Sequence, residues 1–384
     1  MKSLKMIKFK NLFFGLIAFL SISCSDNDYE KRANALLIEL NINEQTPIDS
    51  ILCKVAEHFD IPGITATVTN QDSIIEKSVY GVINSRFDEL LTFEKCFDIY
   101  SISKSFSALI IMQLVEEGFL NLDDELNTIF PELSKNIHKD YKAATLEDLL
   151  THQSGLSRNG RHINETIRPI FKGTLMDRRE QFTLWILDQK SNNTMGEFNY
   201  SNAGFVIVGA VIEKVTGNSF ENEIQDRIFS PLKMKSGGFG WPVENAGDFA
   251  YGHIRDNRKV VPVRYADWYL YGLANPAGGI HMSINDLSVY TREHLLGLKG
   301  KSKLLKRESF EIMHKIEGVC GLGWYNSVFP TYKGSEVGGT DDGYRSEIFI
   351  STQKNIGVTI LTNINDRNDW IACKTIKLAM LRKY

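Results

Sequence analysis

From Ile102 to Val115, within DIYSISKSFSALIIMQLVEEG (Asp98–Gly118), the chain is apolar almost all the way round. A helix with that pattern is a buried one. ILCKVAEHFD, inside Ile48–Asp60, has helical spacing and is stopped by IPG. ITATVTN and SIIEKSVYGV are β-branched runs joined by QD, the pattern of a strand hairpin. The far end mirrors them. SEIFIS (Ser346–Ser351) and IGVTILTN (Ile356–Asn363) flank the turn TQKN, and a helix of DWIACKTIKLAMLRKY follows. The middle, roughly residues 105 to 300, reads as mostly helical and loop-rich, with no repeat of 20 to 50 residues. The pattern predicts a mixed α/β sheet layer with an inserted helical region and an active site at their junction.

One residue breaks the buried helix. Lys104 lies in its first turn, and a lone ammonium in an apolar interior costs several kcal/mol unless it is paired. Ser101 and Lys104 form an S-x-x-K pair at i, i+3, on one helical face. A desolvated lysine gives up its proton more readily and can act as a base toward the hydroxyl. The helix N-terminus favours negative charge developing at that serine.

Two further stretches can join it. In GEFNYSNAGFVIVGAVIEKVTG, Tyr200-Ser201-Asn202 precedes a second apolar helix. A tyrosine beside a lysine can relay protons, and an asparagine can hold a substrate amide. EVGGTDDGYRSEIFI is a glycine-rich entry to a strand. Glycine suits a backbone that approaches substrate closely, and an N–H there can complete an oxyanion hole with that of Ser101.

The N-terminus stands apart from the fold. MKSLKMIKFKN carries four lysines and no acid, and LFFGLIAFL (Leu12–Leu20) follows. That run is too short for a bilayer needing about 20 residues and reads as a signal-peptide core. It leads into SISC, which resembles the lipobox of bacterial lipoproteins, with Cys24 as the lipidated residue. The organisation expected is a signal peptide over 1–23, a polar, acidic tether over 24–45 and one domain over 46–384. The implied location is the bacterial cell envelope, periplasmic or outer surface, held to the membrane by lipid. The formal net charge of −3 and the lack of a long basic run exclude nucleic acid. Cys53, Cys96, Cys320 and Cys373 are scattered without metal-ligand spacing and read as free thiols. The eight histidines show neither H-x-x-x-H nor H-E-x-x-H, so no metal or other cofactor is expected.

From about Pro62 to Asn363 the chain resembles the serine β-lactamase and penicillin-binding protein family, in the branch of class C β-lactamases, DD-peptidases and related esterases. S-x-x-K and Y-x-N carry the resemblance. So do LVEEGFLNLDDEL, TLEDLLTHQSGL, SPLKMKSGGFG and PAGGIHMSINDLSVY, all in family order. The resemblance implies an α+β fold, an antiparallel sheet flanked by helices with an inserted mainly helical subdomain. It implies Ser101 as nucleophile, Lys104 as general base, Tyr200 as proton relay and Asn202 against the substrate amide. The family's third motif falls on Val337-Gly338-Gly339, with the Thr340 N–H as second oxyanion donor. Here the chain departs, because Val337 stands where the family has Lys or His to meet a substrate carboxylate. Arg345 is the nearby cation that can replace it, against the plainer reading of a surface arginine. His152, in LLTHQSGL, is read as structural, since Lys104 and Tyr200 already supply the base. The function implied is acyl-enzyme hydrolysis of a small-molecule or peptide substrate with an ester or amide carbonyl, by an esterase, DD-peptidase or β-lactamase. The alternative is a catalytically weak module that binds a cell-wall peptide or protein partner.

Overall fold

The computed structural model describes residues 26–158, 171–191, 193–240, 248–263, 272–341, 343–366 and 368–384. The leader and Cys24 lie outside them. The two ends of the chain build one sheet. Its strands are β1 (Gly63–Thr69), β2 (Ile74–Gly81), the two-residue β3 (Tyr325–Asn326), β4 (Gly334–Asp341), β5 (Tyr344–Ser351) and β6 (Ile356–Thr362). They lie in the order β2-β1-β6-β5-β4-β3, every neighbour antiparallel.

Side chains alternate across a strand, so the sequence of β1 is also a division of labour. Ile64, Ala66 and Val68 enter a core shared with helices α1 (Asp26–Glu39), α2 (Ile48–Phe59) and the C-terminal helix (Asp369–Lys383). On the other face, Thr67 and Thr359 meet Ser288 and Thr291 of the helix Ile284–Gly297 at 2.7 and 2.8 Å. Beyond that helix lies the larger core, built on α3 (Ser103–Glu116) and the inserted helical region. The middle, expected to be mostly helical and loop-rich, also holds short strands, among them His253–Asp256 and Ile280–Ser283.

Residues 26–39 of the stretch expected as a tether form helix α1 and pack on the fold. Ala33 and Leu37, one turn apart on α1, are buried against the C-terminal helix. The C-terminal helix also buries Lys374 and Lys377, and both find carboxylates. Lys374 meets Glu336 at 2.9 Å and Glu347 at 3.1 Å, and Lys377 meets Glu336 at 2.5 Å. Cys96, Cys320 and Cys373 are buried free thiols, and Cys53 is half-buried.

Candidate active site

Ser101 sits where strand Cys96–Asp98 turns into α3, in a single 3₁₀ turn, Tyr100–Ile102. The reversal forces Tyr100 to φ 45°, left-handed for a residue with a side chain. Strain of that kind persists only where the surroundings over-determine it. Along α3, Ser103, Lys104, Ser105 and Ser107 are all buried, and each finds a hydrogen-bond partner.

Lys104 Nζ lies 3.2 Å from Ser101 Oγ, 2.8 Å from Asn202 Oδ1 and 2.5 Å from the Ala277 carbonyl. Burial first, then the positive charge of Arg158, hold this lysine well below its usual range. The three neighbours suit a neutral amine. Its two N–H bonds go to the two carbonyl oxygens, which can only accept, and its lone pair is left for the Ser101 hydroxyl. On the other side, Tyr200 Oη is 2.5 Å from Ser101 Oγ. Burial pushes the Tyr200 phenol up to about 12, against its bond to Ser101 and the charge of Arg158, so it stays protonated. With Lys104 neutral, the Ser101 hydroxyl can give its proton toward the amine, with the Tyr200 hydroxyl as its second hydrogen-bond partner.

Tyr200 and Asn202 are placed by a helix start. Ser201 caps the helix Asn202–Thr216 by accepting from Gly204 N–H at 2.9 Å. His152 supports the same turn from behind. Its ring lies 4.5 Å from that of Tyr200, its Nδ1 accepts the Ser201 N–H at 3.1 Å, and its Nε2 faces Tyr325 Oη at 3.1 Å. Burial first, then the positive charge of Arg158, hold His152 well below its usual range. The ring is thus neutral with its proton on Nε2, donated to Tyr325.

The opposite wall is β4. β3 pairs only with Ser335 and Glu336, so Val337 to Asp341 have no strand on that edge among the described residues. Gly339 faces the serine turn at such close range that a Cβ there would lie 2.0 Å from the Ile99 carbonyl and 2.8 Å from Ser101 N. That contact brings Gly339 and the adjoining Thr340 to the nucleophile. Val337 shares this face and is buried in the larger core. Gly338, Thr340 and Arg345 belong to the other face. Arg345 is neither a surface residue nor an uncommitted cation. It is 4% exposed, its Nε and Nη2 each lie 3.0 Å from Glu347, and it stacks 3.9 Å from the centroid of Trp370. Burial would raise the Glu347 carboxyl, but the charges of Lys374 and Arg345 outweigh it and hold it at about 2. Arg345 does line a cavity of about 40 Å³ with Val337, Gly338, Thr340 and Trp370, but with its charge already held by a carboxylate.

The sequence reading missed the Ala277 carbonyl, a backbone group 173 residues from Lys104. It also missed Arg158, whose guanidinium covers the Tyr200 ring at 5.1 Å and whose carbonyl accepts the Asn202 N–H at 2.7 Å. An exposed arginine in a loop carries no local signal of this.

Comparison with known proteins agrees with this architecture. The family described as Beta-lactamase matches residues 48–376. Beta-lactamase-like protein 2 of Dictyostelium discoideum is 26% identical over 270 residues, covering 66% of this chain and 47% of that protein. Protein flp of Staphylococcus aureus (strain MW2) is 25% identical over 330 residues, covering 85% of this chain and 64% of that protein. The chain therefore spans between about half and two-thirds of the length of these relatives. Among solved structures, the octameric penicillin-binding protein homologue from Pyrococcus abyssi superposes with a TM-score of 0.70 at 27% identity, over 87% of this chain and 76% of that one. A class C beta-lactamase from Rhodobacter sphaeroides gives 0.67 at 20% identity, over 87% and 98%, a likeness of fold.

Proposed function

This chain is a member of the beta-lactamase family, and from that premise we propose that it is a serine hydrolase acting through an acyl-enzyme on an ester or amide carbonyl. The observation that carries the reading is the Ser101 hydroxyl held between a buried amine at 3.2 Å and a phenol at 2.5 Å. In this reading Ser101 Oγ attacks the carbonyl carbon while its proton passes to Lys104 Nζ. The ammonium so formed meets the Asn202 and Ala277 oxygens, which stabilise the charge more strongly than the neutral amine. The carbonyl oxygen, now negative, is received by the N–H groups of Ser101 and Thr340. Tyr200 hands a proton to the leaving group and recovers one from Lys104. Water then attacks the Ser101 ester, and the acid is released.

Val337 and the committed charge of Arg345 support uncharged esters over carboxylate-bearing substrates such as penicillins or D-alanyl peptides. Turnover of p-nitrophenyl acetate, with the acyl adduct followed by rapid-quench mass spectrometry, tests the reaction class. Absence of both turnover and adduct overturns it and leaves the binding-module reading standing. Envelope anchoring through a lipidated Cys24 is proposed on the SISC stretch alone. Cys24→Ser should move the protein from membranes to the soluble fraction, and retention in the membrane would overturn the anchor.

A further inference from the structure

The helical region buries a charge cluster that the chemistry above does not use. Arg179, in the helix Leu175–Leu187, is fully buried and ion-paired with Glu213 and Glu221. The same guanidinium donates to two backbone carbonyls, Gly272 at 2.6 Å and Leu273 at 3.2 Å. Glu221 in turn accepts from the Asn275 side chain at 2.7 Å. These contacts converge on one short segment, and that segment leads into the turn Asn275–Gly278, which presents the Ala277 carbonyl to Lys104. The turn is tied from two other directions. Ser107 Oγ of α3 donates to the Pro276 carbonyl at 2.7 Å. Pro276 also packs so closely on Gly209 that a Cβ there would lie 2.3 Å from Pro276 Cγ.

A buried ion cluster is a poor source of stability, because desolvation offsets most of the attraction. What this one does is hold a carbonyl in place. We propose that Arg179, Glu221 and Asn275 are positioning residues for Lys104. They fix the Ala277 oxygen so that it takes one N–H of the amine and leaves the lone pair aimed at Ser101. This inference rests on the serine hydrolase reading. Lys104 is otherwise faced by Ser101, Tyr200 and Asn202, by the Phe205 ring at 5.5 Å, and by the fields of His152 and Arg158. Of these groups, Arg158 alone carries a fixed charge.

The test uses the full chain as wild type, Asn275→Ala and Ser107→Ala, with Leu187→Ala as a core variant that only destabilises. The Lys104 titration is followed by NMR of ¹³Cε-labelled lysine, and labelling of Ser101 by a fluorophosphonate is timed from pH 5 to 10. Both turn variants should lower the Lys104 midpoint, because the ammonium loses a charge-assisted acceptor. Both should also slow labelling about ten- to a hundredfold, since the amine is no longer held to the reacting oxygen. Leu187→Ala should lower the melting temperature and leave the midpoint in place. A midpoint unmoved in Asn275→Ala and Ser107→Ala overturns the proposal, whatever happens to stability. Failure of wild type to label strikes the hydrolase reading instead, and the NMR midpoints still decide this one.

Discussion

A single methyl group on β4 should separate activity from folding. In Gly339→Ala the new Cβ would lie 2.0 Å from the Ile99 carbonyl, 2.8 Å from Ser101 N and 2.8 Å from Ser346 Oγ. Carbon needs roughly 3.5 Å from such neighbours, so strand and serine turn must separate by more than about 1 Å. Overpacking of this kind costs about 1–3 kcal/mol of stability. The same displacement at the reacting oxygen costs about a hundredfold in rate, because attack geometry tolerates little error. Gly338→Ala is the matched control. Its Cβ points to the opposite face and would meet only the Ser346 carbonyl at 3.3 Å and Glu347 Cγ at 3.8 Å, so it should stay near wild type. The assay is the second-order rate constant for fluorophosphonate labelling of Ser101, alongside the melting temperature of each variant. Wild-type labelling by Gly339→Ala, or equal damage from Gly338→Ala, would refute the argument that close approach of this strand completes the site.

Lys104→Ala and Tyr200→Phe should each slow acylation by orders of magnitude, and the double variant should cost far less than the product of the two; full additivity would mean that they share no proton-transfer step. A carboxylate substrate forgoes a charge-assisted bond worth about 1.5–3 kcal/mol at Val337, about ten- to a hundredfold. Uncharged esters should therefore be turned over more readily than penicillins, and Val337→His should narrow the gap; efficient penicillin hydrolysis by wild type would contradict this. Stability should fall on acidification from about pH 6.5. Burial holds His253 and His281 near 4 and His314 near 3, and holds His152 and His294 well below their usual range. The unfolded chain takes up those protons first, so each such histidine removes about 1.4 kcal/mol per pH unit until its folded value is reached. Urea midpoints that do not drop between pH 7.5 and 5 would contradict it.

What was legible in the sequence follows from what each residue signals locally. Lys104 was conspicuous because an ammonium in an apolar helix demands a chemical reason, and Ser101 lay one turn away. Tyr200 and Asn202 were legible because a proton-relaying phenol and an amide stand together just before a second apolar helix. The hairpins at both ends announced the sheet by β-branched runs, as β1 and β2 bear out. The Ala277 carbonyl was hidden because backbone groups carry no residue signature and the contact spans 173 positions. Arg345 was placed by its closeness in sequence to the glycine-rich motif. Its pairing opposite Thr340 puts it on the far face of the sheet from Gly339, where Glu347 claims its charge. Helix α1 was masked by acidic flanks, although Ala33 and Leu37 already had helical spacing.

The central claim is that Ser101 is the nucleophile, and intact mass after fluorophosphonate treatment tests it most directly. Wild type should gain one adduct, mapped to Ser101. Ser101→Ala should gain none while keeping the wild-type melting temperature, since the change removes one oxygen from a turn that is otherwise intact. An adduct that persists in Ser101→Ala, or that maps to Ser103 or Ser105, contradicts the account.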